Sequence, residues 1–260
     1  MQLLDEVTTQ GVVERAFRLE HDGEEVPGIC WRPEGALGQT PAILLGHGGT
    51  QHKRAPNVLG LARRFVRHLG ATAVALDAPG HGDRIEDPER ARAARDDLTR
   101  RMASGGAGAA PRLEPPDPEA WAASHRRARA EWRATLDWLV DDGLAAPGKV
   151  GYWGLSMGTV IGLELVADEP RIASAVLGLA ALQGWAGASE RAAAAGRLSD
   201  PVLFVLQLDD QLMTRDDGLA LFEAIGSQDK TLHAFPGGHV DTPLHERDAY
   251  DAFFARTLLG

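Results

Sequence analysis

Cysteine is almost missing from this chain. Among 260 residues the only one is Cys30, so no intramolecular disulfide can staple the fold, and a reducing compartment is the expectation. Basic residues are outnumbered, with 27 Lys and Arg against 37 Asp and Glu for a net charge of −10. That balance argues against nucleic acid or an anionic membrane as the main partner. No apolar run approaches the ~20 residues of a membrane-spanning helix. Asp5, Glu6 and Glu14 interrupt the N-terminal stretch where a signal peptide keeps its apolar centre, and a cytoplasmic location is the default that follows. Linkers rich in Pro and Ser are absent, as are internal repeats, so residues 1–260 read as a single domain.

What is present is an alternation of strand-like and helix-like segments. Val12–Leu19 alternates in polarity, His21-Asp22-Gly23-Glu24 turns, and Val26–Trp31 returns, which predicts an antiparallel hairpin at one sheet edge. The pattern then changes to near-continuous apolar runs at Pro41–Leu45, Thr72–Leu76, Val150–Gly154, Ala173–Leu179, Pro201–Leu206 and Thr231–Phe235, as in parallel strands covered on both faces. Between them, Asn57–Leu69 carries Val58, Leu61, Ala62, Phe65 and Leu69 on one helical face and stops at Gly70; Leu219–Ile225 and Ala249–Leu259 look similar. The expected fold class is α/β: a mostly parallel, doubly wound sheet with an N-terminal antiparallel hairpin and helices on both faces. The stretch Arg84–Pro118 is too long for an ordinary strand-to-helix connection and reads either as a flap over a site or as a charged surface excursion. A long helix follows it, with Trp121, His125, Ala128, Trp132, Leu136 and Leu139 on one stripe. His125 is read there as a packed residue, and Arg126, Arg127, Arg129 and Arg133 as the solvated face.

The chemistry concentrates at Gly154-Leu155-Ser156-Met157-Gly158, which sits between the apolar run Val150–Trp153 and a helical run that ends at Asp168-Glu169-Pro170. A serine at such a strand-turn-helix elbow has its Oγ held clear of the sheet, and glycines on either side permit the sharp bend. Ser156 is the candidate nucleophile. It needs a base, an acid to orient that base, and donors for an oxyanion. The run Val202–Leu206 leads into Gln207-Leu208-Asp209-Asp210-Gln211, and Thr231–Phe235 leads into Pro236-Gly237-Gly238-His239. Asp210 and His239 therefore fall at strand ends, where parallel sheets present their ligands. The order Ser156, Asp210, His239 is that of α/β-hydrolases. Upstream, Gly46-His47-Gly48-Gly49-Thr50 follows another apolar strand, and the amides of Gly49 and Met157 are the candidate oxyanion donors. Although His47, His52, His81, His239 and His245 are numerous, none stands in a zinc-ligand spacing, so no metal is expected.

Taken together, His47-Gly48-Gly49, Asp77-Ala78-Pro79-Gly80-His81-Gly82, Gly154-Leu155-Ser156-Met157-Gly158, Asp210 and Gly238-His239 resemble the serine α/β-hydrolase superfamily over most of the chain. Within it the chain is most similar to the dienelactone-hydrolase-like and serine-aminopeptidase-like branch of small esterases. True dienelactone hydrolases carry cysteine at the elbow, and the serine here points away from dienelactone substrates. The family's Gly-x-x-Asp-x-x-Val pattern fits residues 207–213 with Gln207 for Gly and Met213 for Val, which selects Asp210 over Asp209. The resemblance implies hydrolysis of a small carboxylic ester without a cofactor. C–C bond hydrolysis, acyl transfer or peptide cleavage by the same triad stay open, as does a non-catalytic receptor. Residues 181–200 are too short for the helical cap of many relatives; Trp185 and Met157 are the candidate pocket walls. Lys53, Arg54 and Arg84, just after strand ends, read most simply as solvated loop charges and alternatively as a holder for a substrate anion.

Overall fold

Two Gly-containing turns start the sheet. Gln10-Gly11 and Asp22-Gly23 all have positive φ, the backbone of tight hairpin turns whose twist matches the flanking strands. They join β1 (Gln2–Thr9), β2 (Val12–His21) and β3 (Glu24–Pro33) into an antiparallel unit, one strand larger than the predicted hairpin. β1 has every residue exposed, so it has no buried face to impose alternation and is held by its ladder to β2 and by pairs such as Arg15 with Glu6. The computed structural model describes residues 1–103, 105, 117–183 and 187–260.

From β3 onward the sheet is built by crossovers. β3 pairs antiparallel with β5 (Thr72–Leu76), and β5, β4 (Thr40–Gly46), β6 (Ala145–Gly154), β7 (Ile172–Gly178), β8 (Val202–Gln207) and β9 (Lys230–Phe235) follow in parallel. The order is β1-β2-β3-β5-β4-β6-β7-β8-β9. The continuous apolar runs are explained by this burial on both faces. In β4, Ala42 and Leu44 belong to one core while Ile43 and Leu45 belong to the other, and Val74 and Leu76 alternate with Ala73 and Ala75 in β5. One face is covered by α1 (Pro56–Leu69) and α7 (Glu246–Phe254). The opposite face is covered by α3 (Pro118–Asp141), α4 (Met157–Asp168), α5 (Ala188–Arg197) and α6 (Arg215–Ala224). Cys30 lies in β3, buried, and burial pushes its thiol up to about 12.

The long connection after β5 contains α2 (Pro88–Ala103), which has no buried residue. Its root is fixed by charge. Arg84 forms a bidentate pair with Glu131 of α3 at 2.7 and 2.8 Å, and Arg127 adds a further bond to Glu131 at 3.1 Å. Glu131 is 1% exposed. The stripe Trp121 to Leu139 forms the buried side of α3 as expected, and His125 packs against the Trp121 ring at 3.8 Å. Arg129 departs from the solvated reading, because it is largely buried and pairs with Glu164 of α4 at 2.9 Å.

Removing one partner from a buried ion pair leaves the other charge without compensation. Glu131→Ala should therefore lower stability by about 3–5 kcal/mol in urea unfolding, and a loss near zero would mean that Arg84 is solvated. A second expectation concerns pH. Burial lowers the pKa of His47 to about 4 and of His125 to about 3. Both rings are neutral when folded, while the unfolded chain protonates near 6.5. The unfolded state thus binds more protons below that pH, so stability is fully present above it and falls toward pH 4, on the order of 1 kcal/mol per pH unit for each ring. His125→Phe should flatten this fall between pH 7 and 5, and identical slopes for the two proteins would refute the assignment.

Candidate active site

The elbow is a backbone feature before it is a chemical one. Ser156 sits between β6 and α4 at φ 60° and ψ −120°, a conformation that side chains other than glycine rarely adopt and that persists only when its surroundings impose it. Those surroundings are named by contacts. A Cβ on Gly158 would lie 2.4 Å from the carbonyl oxygen of Gly46, and one on Gly162 would lie 2.1 Å from the Tyr152 ring. The bare face of α4 thus lets the helix start pressed against β4 and β6. Tyr152 donates its hydroxyl to the Gly158 carbonyl at 2.7 Å. The buried Thr159 Oγ1 lies 2.8 Å from Gly154 O and 2.6 Å from Gly178 O and accepts from Gly178 N–H at 2.7 Å, so it joins the ends of β6 and β7 below the turn. Ser156 N–H donates to Gly178 O at 2.9 Å.

At this bend the three residues singled out by the sequence meet. Ser156 Oγ is 2.9 Å from His239 Nε2, and His239 Nδ1 is 2.7 Å from Asp210 Oδ2. Asp210 is 1% exposed and its other oxygen accepts from Leu212 N–H at 2.8 Å. Asp209 is exposed and accepts instead from Gly237 N–H at 3.0 Å, which ties the loop after β8 to the loop after β9. Gln211, which sequence reasoning did not single out, holds the same loop from inside by accepting from His239 N–H at 3.0 Å. Gly238 packs against it, and a Cβ there, 2.3 Å from the Gln211 amide nitrogen, would displace that amide. An imidazole fixed by a buried carboxylate on one nitrogen and facing a hydroxyl with the other can take the hydroxyl's proton.

The amides of Met157 and Gly49 make no hydrogen bond among the described residues, whereas Gly48 N–H donates to Gln51 Oε1 at 3.2 Å. Both residues line the same cavity as Ser156 and His239, which has a volume of about 920 Å³. Of the five non-glycine residues with positive φ among the described residues, three line this cavity: Thr50, Ser156 and Leu179. α2 contributes Ala94, Leu98 and Met102 to the lining, which also includes Val240 and Leu244. Thus part of the long excursion lines the cavity that also holds the serine. Trp185 lies outside the described residues, as does most of the loop after α2. Met157 is in the lining as expected. Within the stretch 181–200, the described residues contribute α5 (Ala188–Arg197), with Arg191 buried and donating to the carbonyls of Ala181 and Leu182.

Two of the three loop cations differ from expectation. Lys53 is buried and pairs with Asp77 and Asp83 at 2.5 and 2.6 Å, Arg84 is held by Glu131, and Arg54 pairs with Glu14. Lys53 and Arg84 are thus not solvated charges, whereas Arg54 stays exposed as expected. Asp77 also accepts from the amides of Lys53 and Asp83, both at 2.8 Å, so the motif Asp77–Gly82 locks the loops after β4 and β5 together. His47 belongs to this lock: its Nε2 accepts from Ala78 N–H at 3.1 Å, which places the proton on Nδ1, 2.8 Å from Gly48 O.

No family model and no curated protein matches the chain. Among solved structures it is similar to a cold-adapted esterase from an Arctic intertidal metagenomic library, with 32% identity, a TM-score of 0.79, and coverage of 99% of this chain and 100% of that one. Acetyl xylan esterases from Paenibacillus sp. R4 and Thermoanaerobacterium sp. JW/SL YS485 share the fold at 17% identity and a TM-score of 0.70. The first match covers 99% of this chain and 88% of that one, and the second 98% and 87%. With the elbow, the sheet order and the full-length match in agreement, the chain belongs to the α/β-hydrolase superfamily, in one family with the cold-adapted esterase.

Proposed function

We propose that the chain hydrolyses small carboxylic esters through an acyl-enzyme on Ser156. One observation carries the assignment: the continuous relay from Ser156 Oγ through both nitrogens of His239 to buried Asp210. Ser156 Oγ attacks the ester carbonyl carbon as its proton passes to His239 Nε2. The carbonyl oxygen becomes an oxyanion facing the Met157 and Gly49 amides, and these donors act without reorganising. Collapse of this intermediate breaks the bond to the alcohol oxygen, which leaves with the proton from His239. Water then repeats the sequence: it loses a proton to His239, attacks the acyl carbon and releases the acid and free Ser156. Asp210 keeps Nε2 as the accepting nitrogen and balances the imidazolium charge. No cofactor enters these steps. The net charge of −10 and the single buried cysteine suit a cytoplasmic enzyme with a diffusible substrate.

Ser156→Ala and His239→Ala should each lower kcat on a 4-nitrophenyl ester by roughly 10⁶-fold, because such groups act as one unit; a folded Ser156→Ala protein with full turnover sinks the assignment. The neighbouring aspartates provide a sharper test. In Asp210→Asn the amide would face His239 Nδ1 and favour the wrong tautomer, with an expected loss of roughly 10⁴-fold. Asp209→Asn keeps an oxygen for Gly237 N–H and should stay near wild type. Measured kcat values in the opposite order would transfer the acid's role to Asp209.

A further inference from the structure

The base of the relay hangs from a weakly anchored part of the sheet. β9 is an edge strand and none of its residues is buried. Among the described residues no hydrophobic side chain between Ile225 and Tyr250 is buried, and Val240, next to the base, is exposed. Apolar burial therefore contributes little to holding the loop that carries His239. The 2.9 Å separation of His239 Nε2 from Ser156 Oγ has to be kept by polar ties.

The widest of these ties is Gln207, which ends β8 with its side chain fully buried. Its amide nitrogen lies 3.1 Å from Phe235 O and 3.3 Å from Pro236 O, and its oxygen accepts from the Thr242 amide at 2.8 Å and the Thr242 hydroxyl at 3.2 Å. The nitrogen is the end that faces the carbonyls, since the reverse arrangement sets oxygen against oxygen. Every donor and acceptor site of the amide is then used on the segment around the base. Pro236 and Thr242 stand three residues before and three after His239, so one buried side chain pins both ends of a segment whose middle is the imidazole. Between the pins, Asp241 Oδ2 accepts from Gly238 N–H at 2.8 Å and Gln211 Oε1 from His239 N–H at 3.0 Å. Asp210 follows Gln207 on the same exit from β8, and the pins thus set the base against its own orienting acid.

We propose that Gln207 is a positioning residue for the base: by clamping Pro236 and Thr242 it holds His239 between Asp210 and Ser156. The inference rests on His239 acting as the base for Ser156 and names the group that fixes where it acts. Gln207 is not in the cavity wall, so its loss acts on turnover through His239 and leaves substrate binding in place.

The test replaces Gln207 by Met, which keeps the length of the side chain and removes all four contacts. The groups freed at Pro236 and Thr242 lie near solvent and can turn to water, so the variant should fold. On a 4-nitrophenyl ester its kcat should fall about a hundredfold, the size of a misplacement of ~1 Å, with KM little changed. A merely structural role would not move the second readout, the low-field proton resonance of the His239 Nδ1–H that faces Asp210, which should be lost or broadened in folded Gln207→Met protein. Gln211→Met, which removes the single bond to the His239 amide, should act in the same way and lower kcat by up to about tenfold. Wild-type kcat in both variants overturns the proposal, as does a fall in kcat with the resonance intact. If Gln207→Met does not fold, Gln211→Met and Thr242→Val decide by the same two readouts, each expected to lower kcat and broaden the resonance. The resonance needs no substrate, so failure of folded wild type to turn over any ester would strike the hydrolase reading, whereas an unmoved resonance in the variants strikes this one.

Discussion

The contact on which the site depends is the approach of Gly158 to the carbonyl of Gly46. It leaves no room for a Cβ, and that closeness forces the chain to leave β6 and enter α4 within two residues. Ser156 takes the unfavourable φ and ψ as a result. Tyr152 and Thr159 then satisfy the carbonyls that the bend exposes. A looser helix would relax the serine toward an ordinary turn and withdraw its Oγ from His239. The packing of one helix on one sheet thus sets the chemistry, and the rest of the relay is positioned against it by the ends of β8 and β9.

A second constraint operates through charge. The loops after β4 and β5 carry the Gly49 amide and the root of α2, and both loops depend on Asp77, which gathers two backbone amides and the Lys53 ammonium in a fully buried position. Arg84 extends the same network to α3 through Glu131. Lys53 and Arg84 therefore hold loops in place.

Much of this was legible in the sequence, for physical reasons. Strands buried on both faces must be apolar at every position, so β4 to β8 stood out, and the elbow needs glycine where helix meets sheet. The ordering of Asp210 and His239 followed because parallel strands place their ends on one side. β1 was missed because a strand exposed on both faces carries no pattern, and its Asp5 and Glu6 resemble a solvated tail. The pairing of Lys53 and Arg84 was misjudged because loop residues are buried only by partners distant in sequence. Gln211 gave no signal, since an amide bonded to a backbone N–H is indistinguishable in one dimension from a surface glutamine.

The burial of Cys30 has a practical side. A thiol whose pKa is pushed up to about 12 has almost no thiolate at neutral pH, and it lies in a strand flanked on both sides by other strands. Alkylating reagents can reach it only when the sheet parts. The chain's single sulfhydryl is therefore a built-in clock for opening of its core, readable by mass spectrometry without introducing a label.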